Sequence, residues 1–274
     1  MNILVTGGSG CIGSAMVRIL SKTHTVFAPS HAELDTCQAI LPYVVVNNIQ
    51  CIVHAALNDE DEPKAYTENV IGIDSVLQCA PVVNRIFLFN SGIVYNESYA
   101  KEHALDYMYY IKSKRAQMSY VCSLPPDLYV KVKTIVLCGV YGPRERGDRF
   151  FSSMIDAALH GTTMKVKENR QFYFSYTDDI AKVVRDCLLE QDPCANYPQI
   201  GVLGEANHLL AFARYIRDAV GPLFPHKPSL VYLENPEYKF SYRIDGVRML
   251  EPIEGVTPLR EGIQAIYKEM VNEI

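Results

Sequence analysis

Glycines at positions 7, 8, 10 and 13 constrain this chain more than any other feature. They follow a short apolar run, Asn2–Thr6, that reads as a strand. They precede residues 11–22, where Ile12, Ala15, Met16, Ile19 and Leu20 fall on one helical face. Strand, glycine turn and amphipathic helix in immediate succession fix a βα unit. Gly8, Gly10 and Gly13 spell GxGxxG, and Gly7, Gly10 and Gly13 spell GxxGxxG. In either register the glycines let the backbone turn sharply against a pyrophosphate and let the helix pack close to the strand. The helix N-terminus then presents unpaired N–H groups to the phosphate charge. No Gly-Lys-Ser/Thr follows, which excludes the phosphate loop of kinases and ATPases.

Beyond this unit, strand and helix patterns continue to alternate. Residues 25–28, 51–54, 85–90 and 131–138 read as strands, 65–80 as a helix stopped by Pro81, and 107–122 as a further helix. Such alternation predicts an α/β fold, a Rossmann-type doubly wound parallel sheet. After Tyr141-Gly142-Pro143 the pattern loosens. Helices are expected at 149–160 and 208–220 and a strand at 229–234. The last helix runs from Thr257, capped by that residue, with Pro258 in its first turn and an apolar face of Leu259, Ile263, Ile266, Met270 and Val271. The expected division is a dinucleotide-binding domain over 1–142 and a small C-terminal substrate lobe over 143–274, interleaved with the sheet domain. Substrate would lie between them, outside the carboxyl ends of the strands.

Composition narrows the function classes. The chain has 274 residues, 49% hydrophobic and 21% charged, enough for a sizeable core. A net charge of -5 argues against a nucleic-acid partner. No apolar run approaches the roughly 20 residues of a membrane helix, and MNILVTGG lacks the basic start of a signal peptide. A cytoplasmic protein is expected. The eight cysteines are scattered without a CxxC pair and read as reduced, buried thiols. The seven histidines form no HxxxH or HExxH, so no metal site is expected.

The residue after the second strand usually selects the dinucleotide, an acid there holding the ribose 2′-hydroxyl of NAD. Here Ala28-Pro29-Ser30-His31 carries none. Ser30 and His31 are candidates to accommodate a 2′-phosphate, which favours NADP(H) and leaves NAD(H) possible. For chemistry, Tyr110 and Lys114 form a YxxxK pair on one helical face. An ammonium beside a phenol is expected to lower the tyrosine pKa and fit it for acid–base work. Ser91, ending the strand at 85–90, can hold a substrate oxygen. The glycine loop, the strand-end serine and the helical YxxxK are far more specific together than any one alone.

In that combination the sequence resembles the extended short-chain dehydrogenases/reductases, the NAD-dependent epimerase/dehydratase group that acts mainly on nucleotide sugars. TGGSGCIG resembles its TGxxGxxG, His54-Ala55-Ala56 its HAA beside the cofactor, and Glu68-Asn69-Val70 its ENV. NSGIVY at 90–95 resembles its serine-bearing strand end and YIKSK its catalytic helix. Val140-Tyr141-Gly142-Pro143 and Tyr176-Thr177-Asp178-Asp179 resemble its VYGP and VDD. The stretch VFAPSHAELD is similar to sugar-nucleotide reductases, which would set Asp35 near the adenine. The resemblance implies cofactor contacts from Gly7, Gly10, Cys11, Ile12, Gly13, Ala55, Ala56, Asn69, Tyr110 and Lys114. It implies hydride transfer from NAD(P)H to a keto carbon, with Tyr110 as proton donor, Ser91 orienting the oxygen and Lys114 holding the nicotinamide ribose. It also implies a homodimer through the helices at 65–80 and 107–122.

Departures from the family pattern sharpen the reaction. The Asp-Glu pair that family dehydratases carry after the serine is Gly92-Ile93 here, and the cysteine of its epimerase–reductases is Ile93. Neither residue moves a proton, so dehydration and 3,5-epimerisation are disfavoured. The asparagine expected before VYGP is Gly139, and the phosphate-binding arginine expected before Asp179 is Phe172. Arg144, Arg149 or Arg170 are candidates to bind substrate phosphate instead. The acidic run Asp59-Glu60-Asp61-Glu62 reads as a solvated loop favouring the N-terminus of the helix that follows, or as an active-site rim selecting an amino group. The leading expectation is reduction of a keto group on a nucleotide sugar, of the 4-ketoreductase type. The alternatives are an NAD-dependent 4-epimerase and a non-catalytic NAD(P)-sensing regulator on the same fold.

Overall fold

The computed structural model describes residues 1–95, 100, 107–166, 169, 171–189, 197–202, 204–220, 229–232, 247–250, 252 and 254–272. The first βα unit is as the sequence predicts, with β1 at Asn2–Thr6 and α1 at Cys11–Leu20. There follow β2 (Thr25–Phe27), α2 (Leu41–Val46), β3 (Cys51–His54), α3 (Pro63–Leu77), β4 (Arg85–Ser91), a 3-10 turn at Gly92–Tyr95, α4 (Met108–Cys122), α5 (Pro126–Tyr129) and β5 (Val132–Leu137). The second half supplies β6 (Gly139–Tyr141), α6 (Phe150–Leu159), β7 (Met164–Val166), β8 (Gln171–Tyr176), α7 (Thr177–Asp186), β9 (Gln199–Val202), β10 (Glu205–His208), α8 (Leu209–Val220), β11 (Leu230–Tyr232), β12 (Arg248–Leu250) and α9 (Leu259–Asn272).

The principal sheet has seven strands in the order β12-β9-β5-β4-β3-β1-β2, every pairing parallel. Leu4, Ile52 and Leu88 face one side with Ile40, Val76 and Val121. Ile3, Val5, Val53, Phe87 and Phe89 face the other, with α1 and α7. Both faces are therefore dry, which is why these strands read as continuous apolar runs. After β1 the chain goes out to β2 and returns on the other side of β1 to β3. That reversal opens a crevice at the carboxyl ends of β1 and β3.

A second core gathers Tyr141, Phe151, Phe174, Phe212, Leu259 and Ile263 from α6, α8, α9 and the sheet β10-β8-β6. The two halves of the chain are not spatially separate. β6, which precedes the expected division at residue 142, lies in the small sheet, whereas α7, β9 and β12, which follow it, pack on or within the large one. Asp179, buried at the start of α7, accepts hydrogen bonds from the Thr257 backbone N–H (2.7 Å) and hydroxyl (2.6 Å). The Thr257 hydroxyl is thus engaged by another helix, and α9 begins two residues later, at Leu259, not at Thr257 as the sequence suggested.

Candidate active site

The glycine loop sits at the crevice, and space explains its composition. Gly7 has φ +68°, and a Cβ there would stand 2.6 Å from the Ala56 backbone nitrogen. A Cβ on Gly13 would stand 2.0 Å from the Gly7 carbonyl oxygen. Both positions exclude a side chain, whereas Gly10 is less crowded, its nearest contact being 3.4 Å. The Gly10 N–H closes the turn on the Gly7 carbonyl at 3.0 Å. Gly10 is also the N-cap of α1, with no side-chain cap and no acid in the first turn, so this helix end is suited to an anion. Gly7, Gly10, Cys11, Ile12 and Gly13 thus form a backbone cradle of the kind a dinucleotide pyrophosphate requires.

The end of β3 forms the other wall. The buried His54 ring meets the Thr6 hydroxyl at 2.8 Å through Nδ1, and that hydroxyl accepts the Ala56 N–H at 3.4 Å. Burial, then the Lys114 charge, push His54 down to about 4. Ala55 is bonded through its N–H to the Thr6 carbonyl. Asn69, buried on α3, donates to the Asn58 carbonyl (2.8 Å) and accepts the Asn58 N–H (2.9 Å). Both ends of its amide therefore hold the segment leaving β3.

Ser91 is the last residue of β4, and Tyr110 and Lys114 lie one turn apart on α4. The three come together. The Ser91 hydroxyl lies close enough to the Tyr110 phenol to act on its ionisation. The Lys114 Nζ lies 5.8 Å from the centre of the Tyr110 ring and donates to the Phe89 carbonyl at 2.9 Å. The expected lowering of the tyrosine pKa is not what this geometry produces. Burial pushes the Tyr110 phenol up, and the nearby Ser91 hydroxyl and Arg149 charge pull it back only in part. Lys114 is itself pushed down to about 8 by burial. Desolvation outweighs the pairwise attraction on which the sequence reading relied.

The acidic run is a loop with Glu60 and Asp61 exposed, as the first reading expects, but two of its carboxylates are engaged by other elements. Asp61 accepts the backbone N–H groups of Met108 (3.1 Å), Tyr109 (2.6 Å) and Tyr110 (3.0 Å). It therefore caps the helix that carries the candidate tyrosine, not the helix that follows it in sequence. Asp59 pairs with Arg149 and Arg146, both at 2.9 Å. Arg149 is close enough to Tyr110 for its charge to act on the phenol. Arg144 is placed differently: its Nη1 donates to the Ser9 carbonyl of the glycine loop at 3.1 Å, and its backbone N–H donates to Glu269 on α9. Arg170 lies outside the described residues. Glu145, which sequence reasoning passed over, is half-buried, and desolvation pushes it up to about 7, although the Ser152 N–H and hydroxyl both donate to it.

Gly139 and Phe172, which stand at the two substrate-marker positions, both adjoin Phe174. A Cβ on Gly139 would fall 2.6 Å from the Phe174 ring, and Phe174 stacks on Phe172 at 5.8 Å. Phe174 fills the room that a larger residue at 139 would need. Gly92 and Ile93 are buried in the turn after Ser91, with Ile93 packed against Ile111 and Tyr110. On the far side of the loop, Ser30 donates its N–H (2.7 Å) and hydroxyl (2.8 Å) to Glu33. His31 is exposed, and Asp35 accepts the Cys37 N–H at 2.8 Å.

A parallel sheet with a glycine cradle at its switch point defines a dinucleotide-binding protein. Residues 3–197 match the NAD dependent epimerase/dehydratase family, and the chain belongs to that family. It is an NAD(P)-dependent enzyme of the extended short-chain dehydrogenase/reductase type. The fold is shared with a GDP-L-fucose synthetase from Naegleria fowleri bound to NADP (TM-score 0.77, 16% identity, 99% of this chain and 93% of that one). It is shared with a GDP-D-glycero-L-gluco-heptose synthase from Campylobacter jejuni in the presence of NADPH (0.72, 16%, 99% and 98%). A Thermus thermophilus UDP-glucose 4-epimerase in complex with NAD is similar too (0.71, 15%, 100% and 100%). No curated protein matches the sequence. No helix among the described residues is long and apolar enough to cross a membrane.

Proposed function

We propose that this enzyme reduces a keto group on a nucleotide sugar, with Ser91, Tyr110 and Lys114 as its catalytic group. The cofactor supplies hydride transfer when bound at the glycine loop. Tyr110 gives its phenolic proton to the substrate oxygen, Ser91 orients that oxygen, and Lys114 supplies positive charge beneath both. The raised Tyr110 pKa suits a proton donor, since the phenol stays protonated at neutral pH. Gly92 and Ile93 carry this reading: beside Ser91 they offer no group to move a second proton, which leaves simple carbonyl–alcohol exchange. Arg149, next to Tyr110 and paired with Asp59, is the best placed of the candidate arginines to meet a substrate phosphate.

A second reading, an NAD-dependent 4-epimerase, is supported by the loop after β2. Glu33 folds its carboxylate onto Ser30, where a 2′-phosphate would otherwise be received, and residues 23–63 contain no Lys or Arg. That geometry suits the free 2′-hydroxyl of NAD and opposes the NADP preference read from Ser30 and His31. The readings separate in one assay. A reductase consumes added NADH or NADPH stoichiometrically with a 4-keto nucleotide sugar, whereas an epimerase turns over on retained NAD with none added. In either case Tyr110→Phe should lower turnover by roughly 100-fold or more with cofactor affinity kept. Wild-type turnover in that variant would remove Tyr110 from the mechanism.

A further inference from the structure

Arg144 is held more firmly, and in a less favourable backbone conformation, than a surface arginine needs. Its φ is +62°, one of two positive values at non-glycine residues among those described. A long side chain there is an outlier that persists only where surrounding contacts over-determine it. Two contacts do so. Glu269 accepts the Arg144 backbone N–H and lies 3.7 Å from its Nε. Nη1 reaches back 135 residues in sequence to the carbonyl of Ser9, between Gly8 and Gly10. The guanidinium thus lies on the rim of the phosphate cradle, with its side chain about half exposed (52%). Its fork carries five N–H donors, more than these contacts use.

The charges around the cradle show what this placement is for. The Cys11 thiol, at the first position of α1, is pushed up to about 12 by burial and by Glu145 and Glu269, against the opposing charges of Arg149 and Arg18. Arg149 is paired with Asp59 on the Tyr110 side, and Arg18 is paired with Asp178. A pyrophosphate entering here meets the Glu269 carboxylate and needs a cation of its own, and Arg144 is the one whose guanidinium already touches the loop. We propose that Arg144 is a clamp for the cofactor pyrophosphate. On binding, its guanidinium turns from Glu269 and Ser9 onto the phosphate oxygens and so ties the C-terminal helix α9 to the state of the cofactor site. A guanidinium fork matches phosphate geometry and makes charge-assisted bonds to it. The clamp rests on the reading that the glycine loop holds a nicotinamide dinucleotide.

The test is binding, measured by titration calorimetry on wild type, Arg144→Asn and Glu269→Gln, with NADH, NADPH, ADP and adenosine as probes. Asparagine tolerates the left-handed backbone, so this variant removes the cation with little strain. Arg144→Asn should weaken NADH and ADP by about tenfold, the worth of one charge-assisted bond, and leave adenosine, which has no phosphate, unchanged. Glu269→Gln removes the competing carboxylate and should tighten NADH severalfold. Equal NADH affinity in wild type and Arg144→Asn overturns the clamp, as does a parallel loss of adenosine, which would mean the arginine only shapes the loop. If Arg144→Asn does not fold, Glu269→Gln decides, and unchanged NADH affinity there overturns the proposal. Failure of wild type to bind either dinucleotide would instead sink the underlying cofactor reading.

Discussion

His54 shows how one buried side chain can carry both a position and a pH dependence. Its ring holds Thr6, and through Thr6 the backbone that Gly7 approaches. Its pKa is pushed down to about 4 in the folded chain, from 6.5 in an unfolded one. Above pH 6.5 neither state protonates it. Between 6.5 and 4 the unfolded chain binds the proton and the folded one does not, so stability falls as pH falls through that window. The loss should reach about 3 kcal/mol. Urea midpoints at pH 7 and pH 4.5 should therefore differ more in wild type than in His54→Asn, and equal differences would refute the assignment. The sequence named His54 as part of a segment beside the cofactor. Its protonation behaviour depends on burial and on Lys114 in α4, which no local pattern encodes.

At the scale of elements, the decisive contact is the cap that Asp61 places on α4. The helix has no side-chain cap from its own N-cap residue, Tyr107, and Asp61 supplies one from 48 residues before Tyr109. One of the three bonds is to the backbone of Tyr110 itself, so the cap sets where the phenol stands relative to Ser91. Asp61→Ala should cost about 1 kcal/mol in stability. It should lower kcat severalfold with KM for cofactor unchanged, and Asp61→Asn, which keeps an acceptor oxygen, should recover most of both. A fall in stability with kcat intact would show that the cap holds the helix without positioning the tyrosine. Helix α4 was legible from its YxxxK spacing and apolar positions. Its cap was not, because the capping residue belongs to another element, 48 residues before Tyr109 in the chain.

For the whole molecule, the question is what holds the second core against the sheet. Asp179 is a central tie: it receives the Thr257 N–H and hydroxyl from the strand of chain entering α9, and Lys182 at 2.9 Å. Asp179→Ala strands a partly buried lysine and releases the entry to α9, at a cost of about 2–3 kcal/mol. Limited proteolysis should then cut near residue 257 faster than in wild type. An unchanged cleavage rate would place the tie elsewhere. By itself the sequence determined the glycine turn, the alternation that builds a parallel sheet, and the choice of Ser91, Tyr110 and Lys114 as the candidate group. Those follow from steric need and from periodicities of a few residues, both written locally along the chain. Only the tertiary structure decided that Asp59 pairs with Arg149 and Asp61 caps α4 from an acidic run, that Phe174 closes the space beside Gly139, and that burial raises rather than lowers the Tyr110 pKa. Each of these depends on which distant groups share one dry region, and charge and desolvation act through space without regard to sequence separation. Arg144 belongs with them: as a residue it is one basic side chain after a proline, and its place on the phosphate loop exists only because the second core folds back over the first.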